Sequence, residues 1–373
     1  MQKNQVEEGN VKIVTKIGND TAFYNPLGKF SRSIFVKIFS AYAISKGGNL
    51  TYAEPFSGSG IKGIRLSVEG EGFSTFIFND IDEGSLRITK ENWKNNSVKG
   101  EGIFYNLDAN DFFQSLVNKG RVDGLDVDPF GSSSPYIFNA IRAVKGGGLI
   151  SFTFTDTQVL GGIHSEALEK RYHIRAKKVQ FLKELQARIA ITNVILEASI
   201  INIAALPVFA HVDKHYVRTY HIIKPKASLS SELIKNIKYI TVSDCGYNSL
   251  EEALYCPYCG KPTDSIGPLY VGNIFNKDLI KKAHELSKDC KSCAELFEIA
   301  LEENDDIPFF YDTRYLASIL RTATPSKNML LKMLRASGFK SSPTVFCPTG
   351  IKTCAPFGVL ESMFYVKESL AKT

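Results

Sequence analysis

Asp126-Val127-Asp128-Pro129-Phe130-Gly131 closes a short apolar-leaning run, Val122-Asp123-Gly124-Leu125, that reads as a β-strand. Proline has no N–H and would interrupt a central ladder, so the strand must stop here. It stops at an acid, a prolyl carbonyl and an aromatic ring. The Asp128 carboxylate and the Pro129 carbonyl are two acceptors, and Phe130 offers a ring face. That set suits a flat, amine-bearing ring: the oxygens take the amine protons and the aromatic stacks on the ring. The plainer reading is a strand-ending turn around a buried phenylalanine. The chain on either side favours the first.

Upstream, Leu50-Thr51-Tyr52-Ala53-Glu54-Pro55-Phe56 reads as a strand, Ser57-Gly58-Ser59-Gly60 as a turn and Ile61 to Leu66 as the start of a helix. Strand, glycine turn and helix open a nucleotide-binding α/β unit, where free N–H groups at the helix start meet the ligand. The G-x-G-x-x-G of a nicotinamide dehydrogenase is absent. The short turn preceded by Glu54 suits a ligand held by amino and carboxylate groups better than a pyrophosphate; an ordinary tight turn is the alternative. The next strand, Thr75 to Phe78, runs into Asn79-Asp80-Ile81-Asp82. Asp80 lies 20 residues after Gly60, the place for an acid that binds ribose hydroxyls. A third strand ends in Asp108-Ala109, whose acid could accept from an adenine amine. A fifth, Gly147 to Phe154, ends in Thr155-Asp156. Glu54, Asp80, Asp108, Asp128 and Asp156 therefore stand at the carboxyl ends of five candidate strands, the edge where open parallel sheets bind ligands. Capping the following helix is the ordinary use of any one of them. Arg32 begins a helix read over Ser33 to Ser45, where the dipole disfavours a cation; an anionic partner or plain solvation accounts for it.

A chain of 373 residues with 44% hydrophobic and 23% charged residues has room for two or three domains with a large core. No apolar run reaches the ~20 residues of a membrane span. Met1 to Gln5 is polar and carries no secretory signal. A cytoplasmic protein without membrane attachment is expected, and no obligate protein partner is evident. The net charge of +6 permits a nucleic-acid partner without requiring one.

The second half opens with a helical pattern over Ala176 to Ala205, one helix or two, and an antiparallel pair, Leu206 to Ala210 with Tyr216 to Ile223. His215 and His221 on that pair read as packed or partnered. Residues 225–272 form a small cysteine-containing β insert with Cys245, Cys256 and Cys259. In a cytoplasmic chain such clusters suggest metal before disulfides, but three thiols are one short of tetrahedral zinc. A metal-free remnant is expected unless Cys290 and Cys293 fold back. Cys347 and Cys354 flank Gly350, close enough in sequence for a disulfide. From Tyr311 the pattern becomes winged-helix-like: a helix Thr313 to Leu320, a turn, a helix Ser326 to Ala336, and a hairpin from Gly338 to Pro356. Arg314, Arg321, Lys327, Lys332, Arg335, Lys340 and Lys352 face one acid, Asp312. Such a basic face is a handle for a phosphate backbone.

Several of these stretches together resemble one family. Phe23-Tyr24-Asn25-Pro26, Ser57 to Arg65, Asn79-Asp80-Ile81, Asp126 to Ser132, Thr153 to Thr157, Asp213 to Arg218, Ile307 to Asp312 and Pro348 to Thr353 are similar, in order, to tRNA (guanine-26-N2)-dimethyltransferases. The resemblance implies a class I (Rossmann-like) methyltransferase domain over residues 1–224, the insert over 225–272, and an α+β, winged-helix-like tRNA-binding domain over 273–373. It implies S-adenosylmethionine as cofactor and tRNA as partner, with one or two methyls placed on a guanine amine at the hinge between the D and anticodon stems. By the same resemblance, Arg32, Asp80, Asp108 and Ala109 hold the cofactor, and the strand–turn–helix reading adds Glu54, Ser57, Gly58 and Gly60, with Ile81 beside Asp80. Asp128, Pro129 and Phe130 hold the target base, with Phe23 flanking it. From the basic face, Arg314, Lys332, Arg335 and Lys352 are expected to serve the tRNA. Some members have four cysteines in the insert, as a zinc knot; here Asn248 stands where a partner of Cys245 would be. The family's Cys-Gly and its His-Pro near Cys-Leu-Arg are replaced by Leu160 to Ser165 and Leu168 to Arg171. His164 and Arg171 remain to face tRNA. Two alternatives stay open on the residues alone: a methyltransferase for another amine-bearing base in RNA or DNA, and a non-catalytic RNA-binding protein.

Overall fold

Seven strands make the central sheet of the computed structural model: Leu50–Glu54, Phe73–Asn79, Glu101–Tyr105, Val122–Val127, Val144–Phe154, Ala204–Val212 and Val217–Lys224. Across the sheet they run third, second, first, fourth, fifth, seventh, sixth. The first five are mutually parallel, and the last two join antiparallel at one edge. This is the α/β class I arrangement that the resemblance implies. Strand order reverses between the first and fourth strands, so their carboxyl ends open the crevice where such sheets bind ligands. The fourth strand is buried over most of its length, as a central parallel strand covered on both faces must be.

The structure describes residues 4–365, so the outermost ends of the two expected terminal domains lie outside the described residues. Helices Lys29–Ser45, Ile61–Glu69, Glu83–Asn95, Ala109–Asn118 and Leu182–Ser199 alternate with the strands. Asp82 and Asp108 cap two of them, accepting from the Ser85 and Asn110 amides. Gly60 precedes the helix Ile61–Glu69 at φ 73°, a left-handed backbone that glycine adopts without a Cβ penalty. The helix expected from Ser33 starts earlier, at Lys29, because a Pro26–Gly28 turn leads straight into it. The long pattern of 176–205 yields a helix only over Leu182–Ser199. Asn202, at φ 56°, then turns the chain into the sixth strand. Of the two histidines read as packed, His221 is buried, but His215 lies exposed in the turn between sixth and seventh strands.

Strands Asn4–Glu8, Val11–Ile17 and Asp20–Thr21 form a sheet of their own. The Asn92 side chain ties it to the helix Glu83–Asn95, accepting from the Val14 amide at 2.7 Å and donating to its carbonyl at 2.9 Å. The insert contributes strands Ile237–Val242, Asn248–Ser249 and Asp264–Tyr270. Helices Lys277–Glu285 and Lys291–Glu302 follow, and the first packs against Lys29–Ser45. The winged-helix expectation is met by helices Thr313–Leu320 and Lys327–Ala336 and by the hairpin Ser341–Thr344 with Cys347–Thr353.

The expectation for Lys352 fails here. Lys352 is 0% exposed, its Nζ 3.0 Å from Glu184 Oε1 and 2.8 Å from Glu303 Oε1. Glu184 also accepts from Arg188 Nε at 2.9 Å. This ion cluster seats the hairpin against the helix Leu182–Ser199, so Lys352 is not available to a phosphate. A buried cation survives only when its charge is met. Cys347 and Cys354 are free thiols, whereas Cys290 and Cys293 are disulfide-bonded to each other and do not join the insert cysteines.

Candidate functional site

The loop after the fourth strand is tied down on its fifth-strand side. Gly131, at φ 85°, donates its N–H to Thr155 Oγ1 at 2.9 Å, and its carbonyl accepts the Thr155 N–H at 2.8 Å. The Ser133 hydroxyl donates to the Thr153 carbonyl at 2.6 Å. Asp128-Pro129-Phe130 is thus held out over the crevice. Phe130 is 80% exposed, which rules out the reading of a turn around a buried phenylalanine. Phe23, 60% exposed, meets it edge-to-face with centroids 4.8 Å apart. Two bare aromatics beside a carboxylate form an incomplete contact surface of the kind that ligands finish. Among the described residues nothing donates to the Pro129 carbonyl.

Beneath the loop lies a charge cluster that sequence reading missed. Lys62, from the helix Ile61–Glu69, reaches Asp126 and stands 2.7 Å from Asp128 Oδ2 and 3.7 Å from Glu54 Oε1. Arg218, from the seventh strand, pairs with Asp126, donates to Thr153 Oγ1 at 3.0 Å and lies 4.0 Å from Asp128 Oδ2. Its guanidinium covers the rings of Phe35 and Tyr220, 5.2 and 5.5 Å from their centroids. The Asp128 side chain is 30% exposed. Partial burial alone would raise its pKa, but the charges of Lys62 and Arg218 outweigh burial and hold it below the ordinary aspartate value. Glu54 goes the other way. Burial pushes its carboxyl up to about 8, with Lys62 only partly opposing and Asp126 adding repulsion. Near neutrality Glu54 is therefore largely protonated, and two cations face two carboxylates. The clue in the sequence was Lys62 itself, a cation flanked by Ile61 and Ile64 on a helix that had to pack.

The other strand-end acids are only partly free. Asp80 braces the glycine turn, accepting from the Gly58 amide at 2.8 Å and the Asp82 amide at 3.0 Å. Asp108 caps its helix through one oxygen, 2.8 Å from the Asn110 amide, and is otherwise exposed. Ala109 behind it is buried, and Ile81 beside Asp80 is exposed. Ser57 is buried, its amide bonded to the Asn79 carbonyl at 2.9 Å. Gly58, at φ 52°, and Gly60 give the turn its shape. An apolar Ile81 face, the turn-bracing Asp80, the half-free Asp108 and a helix N-terminus make a cradle for an adenosine-like group. Glu54 does not face that cradle; it is buried and accepts the Gly63 amide at 3.1 Å from behind the turn. Arg32 is likewise occupied: its Nε reaches Glu8 Oε1 at 2.7 Å and its Nη2 the Asn25 carbonyl at 2.9 Å. The anion beside the helix start is Glu8, which also takes Arg65 at 2.8 Å and the Tyr24 hydroxyl at 2.9 Å. Arg32 thus anchors the loop that carries Phe23.

Farther out, Arg171 pairs with Asp156, which also accepts from the Tyr172 hydroxyl at 2.9 Å. His164 is exposed, 3.3 Å from Gln158 Oε1. Arg314 and Lys332 are exposed. Arg335 donates to Glu302 at 2.7 Å and to the Ser341 carbonyl at 2.9 Å, which lowers its charge as seen from outside. Lys327, Lys332, Arg335 and Leu331 line a groove of about 390 Å³ against Ile299 and Glu302. In the insert, the sulfurs of Cys245, Cys256 and Cys259 lie within 4.8 Å of one another, and Ser243 Oγ is 3.4 Å from Cys259 Sγ. Three thiols and a hydroxyl fall short of the four nitrogen or sulfur ligands of a structural zinc site.

Residues 2–365 match the sequence profile of the N2,N2-dimethylguanosine tRNA methyltransferase family. A tRNA (guanine(26)-N(2))-dimethyltransferase of Methanothermobacter thermautotrophicus is 31% identical over 96% of this chain and 97% of its own length. One of Methanobrevibacter smithii is 30% identical over 94% of each. The structure of Trm1 from Pyrococcus horikoshii with S-adenosyl-L-methionine superimposes with a TM-score of 0.84 at 26% identity, covering 96% of this chain and 98% of that one.

Proposed function

The chain belongs to the N2,N2-dimethylguanosine tRNA methyltransferase family, and from that premise we propose how its own residues carry the reaction. It is an S-adenosylmethionine-dependent tRNA guanine-N2 methyltransferase acting on guanine 26. The observation that carries the residue assignment is the display of Asp128, the Pro129 carbonyl and exposed Phe130 at the point where strand order reverses. Asp80, Ile81, Asp108, Ala109 and the Ser57–Gly60 turn form the side that takes the cofactor. When bound, S-adenosylmethionine supplies a methyl group already activated on a sulfonium.

The nucleophile is an exocyclic amine whose lone pair is delocalised into the guanine ring. Two acceptors on its hydrogens favour the pyramidal form and aim the lone pair outward. Asp128 and the Pro129 carbonyl provide those acceptors, and Phe130 with Phe23 holds the ring. Extruding the base from a folded tRNA costs a few kcal/mol, and stacking on Phe130 returns about 1–3 kcal/mol. Holding the reacting atoms in line is worth up to about 7–11 kcal/mol of barrier. As the amine nitrogen takes the methyl group, its proton passes to the Asp128 carboxylate and then to water.

The same proposal divides the chain into a catalytic domain over 1–224, a cysteine insert over 225–272 and a tRNA-binding domain over 273–373. Arg314 and Lys332 are its exposed phosphate contacts, with Arg335 beside them, and His164 and Arg171 approach the RNA nearer the crevice. No helix among the described residues is long and apolar enough to cross a membrane; a cytoplasmic location is part of the proposal. The test is mass spectrometry of tRNA nucleosides after incubation with the cofactor. N2-methylated guanosine, lost in Asp128→Ala, supports the assignment; turnover retained by Asp128→Ala overturns it.

A further inference from the structure

We propose that Lys62 and Arg218 are positioning residues that clamp one oxygen of Asp128 and thereby present its other oxygen to the substrate amine. The proposal rests on the reading of Asp128 as an acceptor and deepens it. Both cations approach the same atom, Oδ2: Lys62 Nζ at 2.7 Å and Arg218 Nη1 at 4.0 Å. The Thr153 hydroxyl, which also takes Arg218, adds a hydrogen bond to the same carboxylate. The carboxylate is thus gripped from beneath while its side chain stays 30% exposed, the condition for accepting a proton donor from outside along one direction.

The clamp is itself fixed. Asp126, buried one pleat back on the same strand, pairs with both Lys62 and Arg218 and accepts from the Ser151 hydroxyl. The two cations come from different elements, a helix and the seventh strand, so neither can follow Asp128 if it rotates. The groups facing Asp128 are Lys62 from the helix, Arg218 from the seventh strand, Thr153 from the fifth, Asp126 on the strand that leads to it, Glu54 and Tyr52 on the first strand, and Tyr220 beside Arg218. Their balance keeps Asp128 ionised well into acid, so it accepts a hydrogen bond strongly and stores a proton poorly. A proton that it takes from the amine therefore passes on to water readily.

The experiment compares wild type, Lys62→Met and Lys62→Arg for kcat, KM for tRNA, and the acidic limb of the kcat–pH profile. In Lys62→Met, kcat should fall by ~100-fold or more with KM for tRNA nearly unchanged. The acidic limb should move up by ~1–3 pH units. Lys62→Arg should restore the limb, since the charge is kept. An unmoved limb in Lys62→Met, or a loss confined to KM, overturns the proposal. If Lys62→Met does not fold, carbon-13 titration of the Asp128 carboxyl in the wild-type protein decides. Titration below the ordinary 3.8 supports the clamp, and titration at or above it overturns the clamp. A dead Asp128→Ala beside an unmoved limb in Lys62→Met rejects the clamp alone. An active Asp128→Ala rejects the reading beneath it.

Discussion

Glu54 makes a pH experiment possible without any RNA. In the folded protein its carboxyl is pushed up to about 8 from an ordinary 4.5, chiefly by burial. A folded state that binds a proton more tightly than the unfolded chain is stabilised by that proton. The stability is present in full below about 4.5, is lost as pH rises toward 8, and changes no further above it. At ~1.4 kcal/mol per pH unit over that interval, the loss is roughly 5 kcal/mol, taken as an upper bound because buried sites relax. Glu54→Gln carries no charge at any pH and can still accept the Gly63 amide. Its stability relative to wild type should therefore rise by several kcal/mol between pH 5 and pH 9, other groups cancelling in the difference. Trp93 is the one tryptophan and is packed against Phe76 and Phe78, so its fluorescence follows urea unfolding of the sheet. Wild-type and Glu54→Gln stability curves that run parallel from pH 5 to pH 9 would refute the reasoning. Glu54 would then be ionised at neutrality, and the cluster under Asp128 would hold three carboxylates against two cations.

Phe130→Ala should reduce kcat/KM by ~5–150-fold, the ~1–3 kcal/mol of one stacked base, yet leave the thermal midpoint nearly unchanged because the ring is exposed; a large drop in midpoint would contradict its placement. Lys352→Met should destabilise by ~3–5 kcal/mol, since it leaves Glu303 buried without its cation and Glu184 with Arg188 alone; urea unfolding measures this, and a neutral result would deny the ion cluster its role in seating the hairpin. Arg314→Glu with Lys332→Glu should weaken tRNA binding and flatten its salt dependence; an unaltered salt slope would remove that face from the interface. Metal analysis of the purified protein should find less than one zinc per chain, whereas a stoichiometric value would mean that the three-thiol cluster recruits a fourth ligand.

The residues that display the substrate-facing edge were legible from local rules. Proline after Asp128 ends a strand wherever it occurs, and glycines at 58 and 60 permit a turn that few other residues would. Asp108 caps its helix, the ordinary use open to a strand-end acid. The C-terminal helix pair and hairpin showed in periodicity, and the family's motifs in their order. What misled was side-chain destination. Lys352 looked like one more surface cation because a strand residue's face is set by what packs on it. Arg335 looked free, but Glu302 comes to it from another helix.

The sequence by itself determined the order of strands and helices, the edge at which the acids gather, and the aromatic at its tip. These follow from backbone constraints that act over a few residues. Only the tertiary structure decided which acids are spent and which remain open. Glu54 turns inward, Asp80 braces a turn, and Asp128 alone among them is gripped by two cations and still reaches solvent. Residues 62, 126, 128 and 218 meet because a helix and an antiparallel strand converge on one strand end. The physical reason is that charges pair by distance in space and by burial, and neither is written in the local pattern of a chain.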